Sequence, residues 1–109
     1  MTPCRPGDVV LLTFPFTDES GAKRRPALVL LDTGDEDAVV ARITGQSYAT
    51  RFDVRIAEWQ RAGLLLPSVV RVHKVATIDK RLIEQQLGRL TDGDWERVSA
   101  TARELWASN

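Results

Sequence analysis

Three places in the sequence carry side chains able to hold a phosphate or move a proton. Lys23, Arg24 and Arg25 stand in a row before Pro26. A guanidinium is planar, stays protonated and can meet two phosphoryl oxygens at once, so Arg25 suits charge neutralisation better than proton transfer. Taken alone, the run reads more readily as a solvated basic loop. Thr44 can donate one hydrogen bond to a phosphate, although a threonine near a strand end is more commonly a β-former. Gln46, Ser47 and Tyr48 follow it and could touch a ligand. His73 is the only histidine and stands two positions after Arg71. With a reference pKa of about 6.5, histidine is the natural proton shuttle at neutral pH. A lone histidine is nevertheless more often surface filler than a catalyst.

These residues need elements to position them. Gly7-Asp8 marks a turn, and VVLLTFPF behind it is rich in β-branched and aromatic residues and reads as a strand that Pro15 should end. TDESGAKRR (17–25) reads as a polar loop and PALVLL (26–31) as a buried strand. DTGDED (32–37) is an acidic turn cluster, and AVVARITGQ (38–46) reads as another strand. In RFDVRIAEW (51–59), Phe52, Val54 and Ile56 alternate against Arg51, Asp53 and Arg55, as in a strand with one face on a core. SVVRVHKVATI (68–78) alternates too, with Val69, Arg71 and His73 sharing one side. LIEQQLGRL (82–90) is ambiguous: Leu82, Ile83, Leu87 and Leu90 suit a short helix that Gly88 interrupts. Thr91 with Asp94 suggests a helix cap, after which Trp95, Val98, Ala102, Leu105 and Trp106 fall on one helical face. The expected fold is mainly β, five or six short strands with a C-terminal helix packed on the sheet. Among the aromatics, Phe52 is expected in the core, Tyr48 and Trp59 are candidates for stacking, and Trp95 and Trp106 are expected to be buried.

At 109 residues the chain is expected to form one domain, residues 1–109. Hydrophobic residues at 43 % and charged residues at 28 % are an ordinary globular balance, which excludes a disordered chain. No apolar run approaches a membrane span, and MTPCRPGD lacks the pattern of a secretory signal, so a cytoplasmic protein is expected. Cys4 is the only cysteine, so no internal disulfide and no zinc cage are expected, and the thiol is expected to be inert. Net charge is zero, against a generic nucleic-acid coat. It is unevenly spread: residues 38–81 carry eight Lys/Arg against Asp53, Glu58 and Asp79, a net of +5. A local basic face of that kind can attract phosphate, and on charge alone it also fits a solvated surface.

GDVVLLTFPFTDESGAKRRPALVL, with its Gly-Asp turn, strand, polar Gly-containing loop and Arg-Pro opening the next strand, resembles the MazF/PemK family of toxin–antitoxin ribonucleases. ITGQS (43–47) resembles the Thr-containing end of that family's third strand, and GLLLPSVVRVHKVATID (63–79) its later strand. The resemblance implies a compact SH3-like barrel with a C-terminal helix, a homodimer, and a cognate antitoxin whose tail wraps the active surface. It implies metal-independent cleavage of single-stranded RNA, with no cofactor. By the same resemblance Arg25 matches the family's catalytic arginine and Thr44 its catalytic threonine. Arg71 and His73 match an arginine and a carboxylate that carry catalysis in a PemK-type member. The histidine at that carboxylate position is a departure, and the loop between Phe16 and Arg24 lacks the MazF Glu-Gln pair, so no RNA sequence preference carries over.

The chemistry so implied is attack of the 2′-hydroxyl on its own phosphorus. It needs a proton acceptor, neutralisation of the phosphoryl oxygens and a proton donor to the leaving oxygen. Arg25 and Thr44 are the leading candidates, Arg71 and His73 assisting, with Lys23, Arg24, Gln46, Ser47 and Tyr48 placed to bind RNA. Two other classes fit the same elements: a non-enzymatic toxin of the gyrase-poisoning CcdB type, which acts through a C-terminal tryptophan region, and an SH3-like binding module without catalysis.

Overall fold

The computed structural model describes residues 4–14 and 23–107. The expected end of the first strand at Pro15 and most of the polar loop lie outside the described residues. Six strands form one antiparallel sheet: β1 (Asp8–Phe14), β2 (Lys23–Asp32), β3 (Asp37–Thr44), β4 (Asp53–Arg55), β5 (Val69–Asp79) and β6 (Ile83–Arg89). The order across the sheet is β4-β5-β3-β2-β1-β6. One helix, α1 (Asp92–Ala107), follows. The architecture expected from the sequence is therefore present, though the sheet does not close on itself.

The alternation of apolar residues gives the sheet two dry faces. Val9, Leu28, Ile43, Val70 and Val72 pack with Val98 and Ala102 of α1. Val10, Leu12, Ala27, Val29, Val40 and Ile78 pack on the other face. Because Val69–Val72 is buried on both sides, β5 is a covered strand there, where simple alternation predicts one wet face. α1 starts as expected: the Asp94 N–H donates to Thr91 Oγ1 at 3.3 Å. Its Trp95, Val98, Ala102 and Leu105 meet the core. Trp106, expected to be buried, is 63 % exposed, because the apolar cluster ends at Leu105.

Three readings of elements change. Lys23, Arg24 and Arg25 belong to β2, not to a loop, and pair with Phe14, Thr13 and Leu12 of β1. Pro26 is tolerated inside this strand because the β2–β3 ladder begins only at Ala27, so on one side no N–H is required. The segment 51–59 is strand only over three residues, after which the chain turns. The cause is tertiary: the N–H groups of Ala57 and Glu58 donate to the Asp94 carboxylate rather than to a neighbouring strand. Phe52 is half-buried against His73, with ring centroids 5.8 Å apart, not in the core.

Residues 82–90 are not a helix. A short 3₁₀ turn, Lys80–Leu82, leads into β6, which pairs with β1 through two register shifts. Gly88 is there for close backbone approach: a Cβ on it would lie 2.4 Å from the carbonyl oxygen of Ala62. Its counterpart Gly63 has φ +85°, and a Cβ there would lie 2.0 Å from the carbonyl oxygen of Leu87. Since Gly88 is paired with Val9 and the turn at Gly63 is closed by its N–H to the Gln60 carbonyl at 3.1 Å, Gly63→Ala is expected to cost about 3 kcal/mol, from overlap and a strained φ together. Urea unfolding checks this, and an unchanged midpoint would mean that the segment carrying Gly63 gives way freely.

Candidate active site

The β2–β3 ladder stops at Ala27 opposite Arg42, while β3 continues to Thr44 paired with Val69 of β5. Beyond that last pair the strands part. Arg25 and Thr44, each two residues further along its strand, stand on opposite lips of the gap. A cleft of about 700 Å³ opens there, lined by Arg25, Arg42, Thr44, Gln46, Gln85 and the 63–66 segment. Gly63 and Gly45 let that segment approach, and a Cβ on Gly45 would meet Leu66 Cδ1 at 2.3 Å.

Arg25 is exposed, and the one hydrogen bond of its side chain among the described residues is a long 3.5 Å contact to the Arg24 carbonyl. Arg42 is exposed too, and neither arginine has an ion pair among the described residues. Thr44 is half-buried, and its Oγ1 accepts the Gln46 N–H at 3.1 Å, a side-chain turn that leaves the hydroxyl proton to donate. Among the described residues the cleft thus offers two guanidiniums without an ion pair and an oriented hydroxyl, and no carboxylate lines it.

Other sequence candidates fall elsewhere. Arg24 projects to the opposite side of β2 from Arg25 and pairs with Glu84 at 3.2 Å. Lys23 shares the side of Arg25 by alternation. Ser47 and Tyr48 line a neighbouring cleft, which shares Gly45, Gln46 and Ser68 with the first. Arg71 is 8 % exposed, and its Nε donates to Asp53 Oδ1 at 2.8 Å. The Arg71 guanidinium lies 3.6 Å from the centroid of the Tyr48 ring, and the Tyr48 hydroxyl donates to Gln46 Oε1 at 2.9 Å. Burial pushes the Asp53 carboxyl up, but the bonds from Arg71 and Thr50 outweigh it and hold the group below the usual carboxylate range. His73 does not line the cleft; it rests on Phe52, and its Nδ1 is buried with no hydrogen-bond partner among the described residues.

The charge count of the middle segment overstates its free charge. Arg51 pairs with Glu104, Arg71 with Asp53, Lys80 with Asp32 and Arg81 with Asp79. Two lining residues were missed by the sequence reading. Arg42 carries a signal, since it lies two positions before Thr44 in an alternating strand. Gln85 carries none, because its segment reads as helix or strand equally. Cys4 is buried, and its thiol is pushed up by burial and by Asp32 beside it, as suits an unreactive group. Among the described residues no three His, Cys, Asp or Glu side chains gather as ligands for a metal ion, and no helix is long and apolar enough to cross a membrane.

The family model of the PemK-like, MazF-like toxins of type II toxin–antitoxin systems matches residues 5–106. No curated protein matches by sequence. Among solved structures, an endoribonuclease from Mycobacterial species, in complex with its cognate antitoxin, superposes with a TM-score of 0.76 at 16 % identity, covering 98 % of each chain. The Mycobacterium tuberculosis toxin MazF-mt6 gives 0.74 at 21 % identity, covering 96 % of this chain and 99 % of its own. MazF in a MazE–MazF complex from Deinococcus radiodurans gives 0.74 at 22 % identity over 95 % of both chains. With the fold of the MazF toxins and a family match over nearly all its length, this protein belongs to the PemK-like, MazF-like toxins of type II toxin–antitoxin systems.

Proposed function

We propose that this toxin is a sequence-selective endoribonuclease that cuts single-stranded RNA by attack of the 2′-hydroxyl on its own phosphorus, without a metal or other cofactor. The observation that carries the reading is the cleft in which Arg25, Arg42 and Thr44 meet. The mycobacterial endoribonuclease of the same fold supports it. Attack forms the bond from the 2′-oxygen to phosphorus and breaks the bond to the 5′-oxygen, leaving a 2′,3′-cyclic phosphate and a 5′-hydroxyl. Arg25, with Arg42 beside it, neutralises the phosphoryl oxygens, which gain charge in the transition state. The Thr44 hydroxyl, its oxygen already held by the Gln46 N–H, donates to the same phosphate. Arg71 assists through Tyr48 and Gln46. The 2′-hydroxyl gives up its proton and the 5′-oxygen gains one by way of solvent, and His73, on β5 beyond Arg71 and outside the cleft, is the candidate for relaying it.

The reading includes one domain over residues 1–109, a homodimer, a cytoplasmic setting and a cognate antitoxin. An antitoxin tail with acidic and apolar residues fits the cleft, whose rim exposes Leu65 and Leu66 beside the two free arginines. Such a tail would order on binding and cover Arg25.

The test is incubation with mixed-sequence single-stranded RNA in EDTA, with mapping of the new ends. Expected are cuts at a short motif with cyclic phosphate and 5′-hydroxyl ends. His73→Ala, run beside the wild type from pH 5 to 9, is expected to lower the cleavage rate. An unaltered profile removes His73 from proton transfer. A gyrase-poisoning toxin is the second reading, favoured by one observation: Trp106 near the C-terminus is 63 % exposed. Inhibition of gyrase supercoiling without RNA cleavage would establish it.

A further inference from the structure

We propose that Tyr48 is a positioning residue for the cleavage step: braced from beneath by the buried Arg71–Asp53 pair, its hydroxyl fixes Gln46, and through Gln46 it aims the Thr44 hydroxyl at the phosphate. The proposal deepens the endoribonuclease reading above and rests on it.

The turn that carries these residues has little backbone support of its own. Among the described residues no backbone–backbone hydrogen bond joins any two of residues 45–49. Side chains close the turn instead. The Gln46 N–H donates to Thr44 Oγ1 at 3.1 Å, and the Tyr48 hydroxyl donates to Gln46 Oε1 at 2.9 Å. Gln46 and Ser47 are exposed, so packing restrains them little. A hydroxyl rotates to suit its surroundings unless a bond on its oxygen fixes it. For Thr44 that bond is the Gln46 N–H, so the place of Gln46 sets where the Thr44 proton points.

The series of contacts ends on a rigid base. Tyr48 is half-buried, and the Arg71 guanidinium lies 3.6 Å from the centroid of its ring. Arg71 Nε donates to Asp53 Oδ1 at 2.8 Å, and the two side chains are only 10 % and 1 % exposed. Asp53 also accepts the N–H and the hydroxyl of Thr50, at 2.9 and 2.7 Å. Asp53 and Arg71 stand opposite each other in the β4–β5 ladder, so sheet pairing holds the base in place. A ring seated on a buried, paired cation and bonded at its tip has little freedom left.

The arrangement separates support from chemistry. Arg71 lines neither cleft and its charge is met by Asp53, so it serves as a brace and not as a phosphate clamp. Tyr48 lines the neighbouring cleft but not the one that holds Thr44. Gln46 lines both and is the link from the Tyr48 hydroxyl to the Thr44 hydroxyl.

The experiment is a double-mutant cycle on the full chain, with the wild type, Tyr48→Phe, Thr44→Ala and the double variant. Single-turnover cleavage is followed at saturating RNA. Binding is measured with a 2′-O-methyl RNA, which lacks the attacking hydroxyl. Tyr48→Phe removes one hydrogen bond and keeps the ring on Arg71. It is expected to slow cleavage about fivefold to tenfold with RNA affinity and Tm unchanged, because a misaimed donor is lost to the transition state and not to the ground state. Thr44→Ala is expected to slow cleavage about 10²-fold. In the Thr44→Ala background, Tyr48→Phe is expected to cost less than about twofold, since the hydroxyl it aims is gone. Equal factors in both backgrounds would overturn the proposal, because Tyr48 would then act on something other than Thr44. An unchanged rate in Tyr48→Phe would overturn it too, as would a loss of affinity or Tm that accounts for the slowing. If the wild type cuts no RNA, the endoribonuclease reading falls and takes this proposal with it.

Discussion

Arg25→Ala is expected to slow RNA cleavage by about 10²–10³-fold, the size of effect seen when one preorganised donor to a developing oxyanion is removed. Arg25 lines the cleft, is exposed, and has no ion pair among the described residues. Its charge is therefore available to the phosphate rather than spent within the fold. The loss should fall mainly on kcat, because charge on the phosphoryl oxygens grows towards the transition state. Arg25→Lys keeps the charge but not the two-pronged geometry, and is expected to recover only part of the rate. An exposed side chain contributes little to stability, so both variants should melt within about 0.5 kcal/mol of the wild type. Single-turnover cleavage in EDTA with end mapping is the measurement. Undiminished cleavage by Arg25→Ala would exclude the arginine from the chemistry, while loss of rate with a changed melting curve would point to the fold instead.

Asp94→Ala should produce the largest loss of stability among single polar substitutions. Asp94 is 2 % exposed and accepts the N–H of Ala57 at 3.0 Å and of Glu58 at 2.9 Å. Arg97 pairs with the same carboxylate. One side chain therefore ties the first turn of α1 to the turn that follows β4. Alanine leaves two backbone donors and one guanidinium without their acceptor, at a cost of about 3 kcal/mol. For a chain of this size that is a fall in Tm of about 10 °C or more. The second cleft should suffer with it, since Ala57 and Arg97 line it.

The same residue predicts the response to acid. Burial raises the Asp94 carboxyl, but the bonds from Glu58, Ala57 and Arg97 outweigh it and leave the group below its ordinary value. Asp53 is lowered by the same balance of opposing effects. Near pH 4 the unfolded chain then binds more protons than the folded one, so stability rises with pH. The contribution of both groups is complete above the ordinary carboxylate range of about 4 and is lost as pH falls through the folded values. Urea midpoints from pH 6 down to 2.5 should fall steeply for the wild type and more gently for Asp94→Ala. Parallel curves would mean that Asp94 carries no acid dependence.

What the sequence by itself determined is the local pattern: strand content, the C-terminal helix with its Thr91 cap, and the family, carried by the Gly-Asp turn, the Arg-Pro junction and the ITGQS block. These depend on alternation, helical period and short motifs, which act over a few residues. The tertiary structure decided the rest. IEQQLGR became a strand because β1 supplied its partner and because Gly88 alone could pass so near Ala62. The 51–59 segment broke after three residues because a carboxylate 36 residues away took the N–H of Glu58. Which cations are free was equally hidden: Arg71 and Arg42 look alike in sequence, but only Arg71 finds Asp53 across the β4–β5 ladder. A charge is free or spent according to its neighbour in space, and local pattern carries no record of that neighbour.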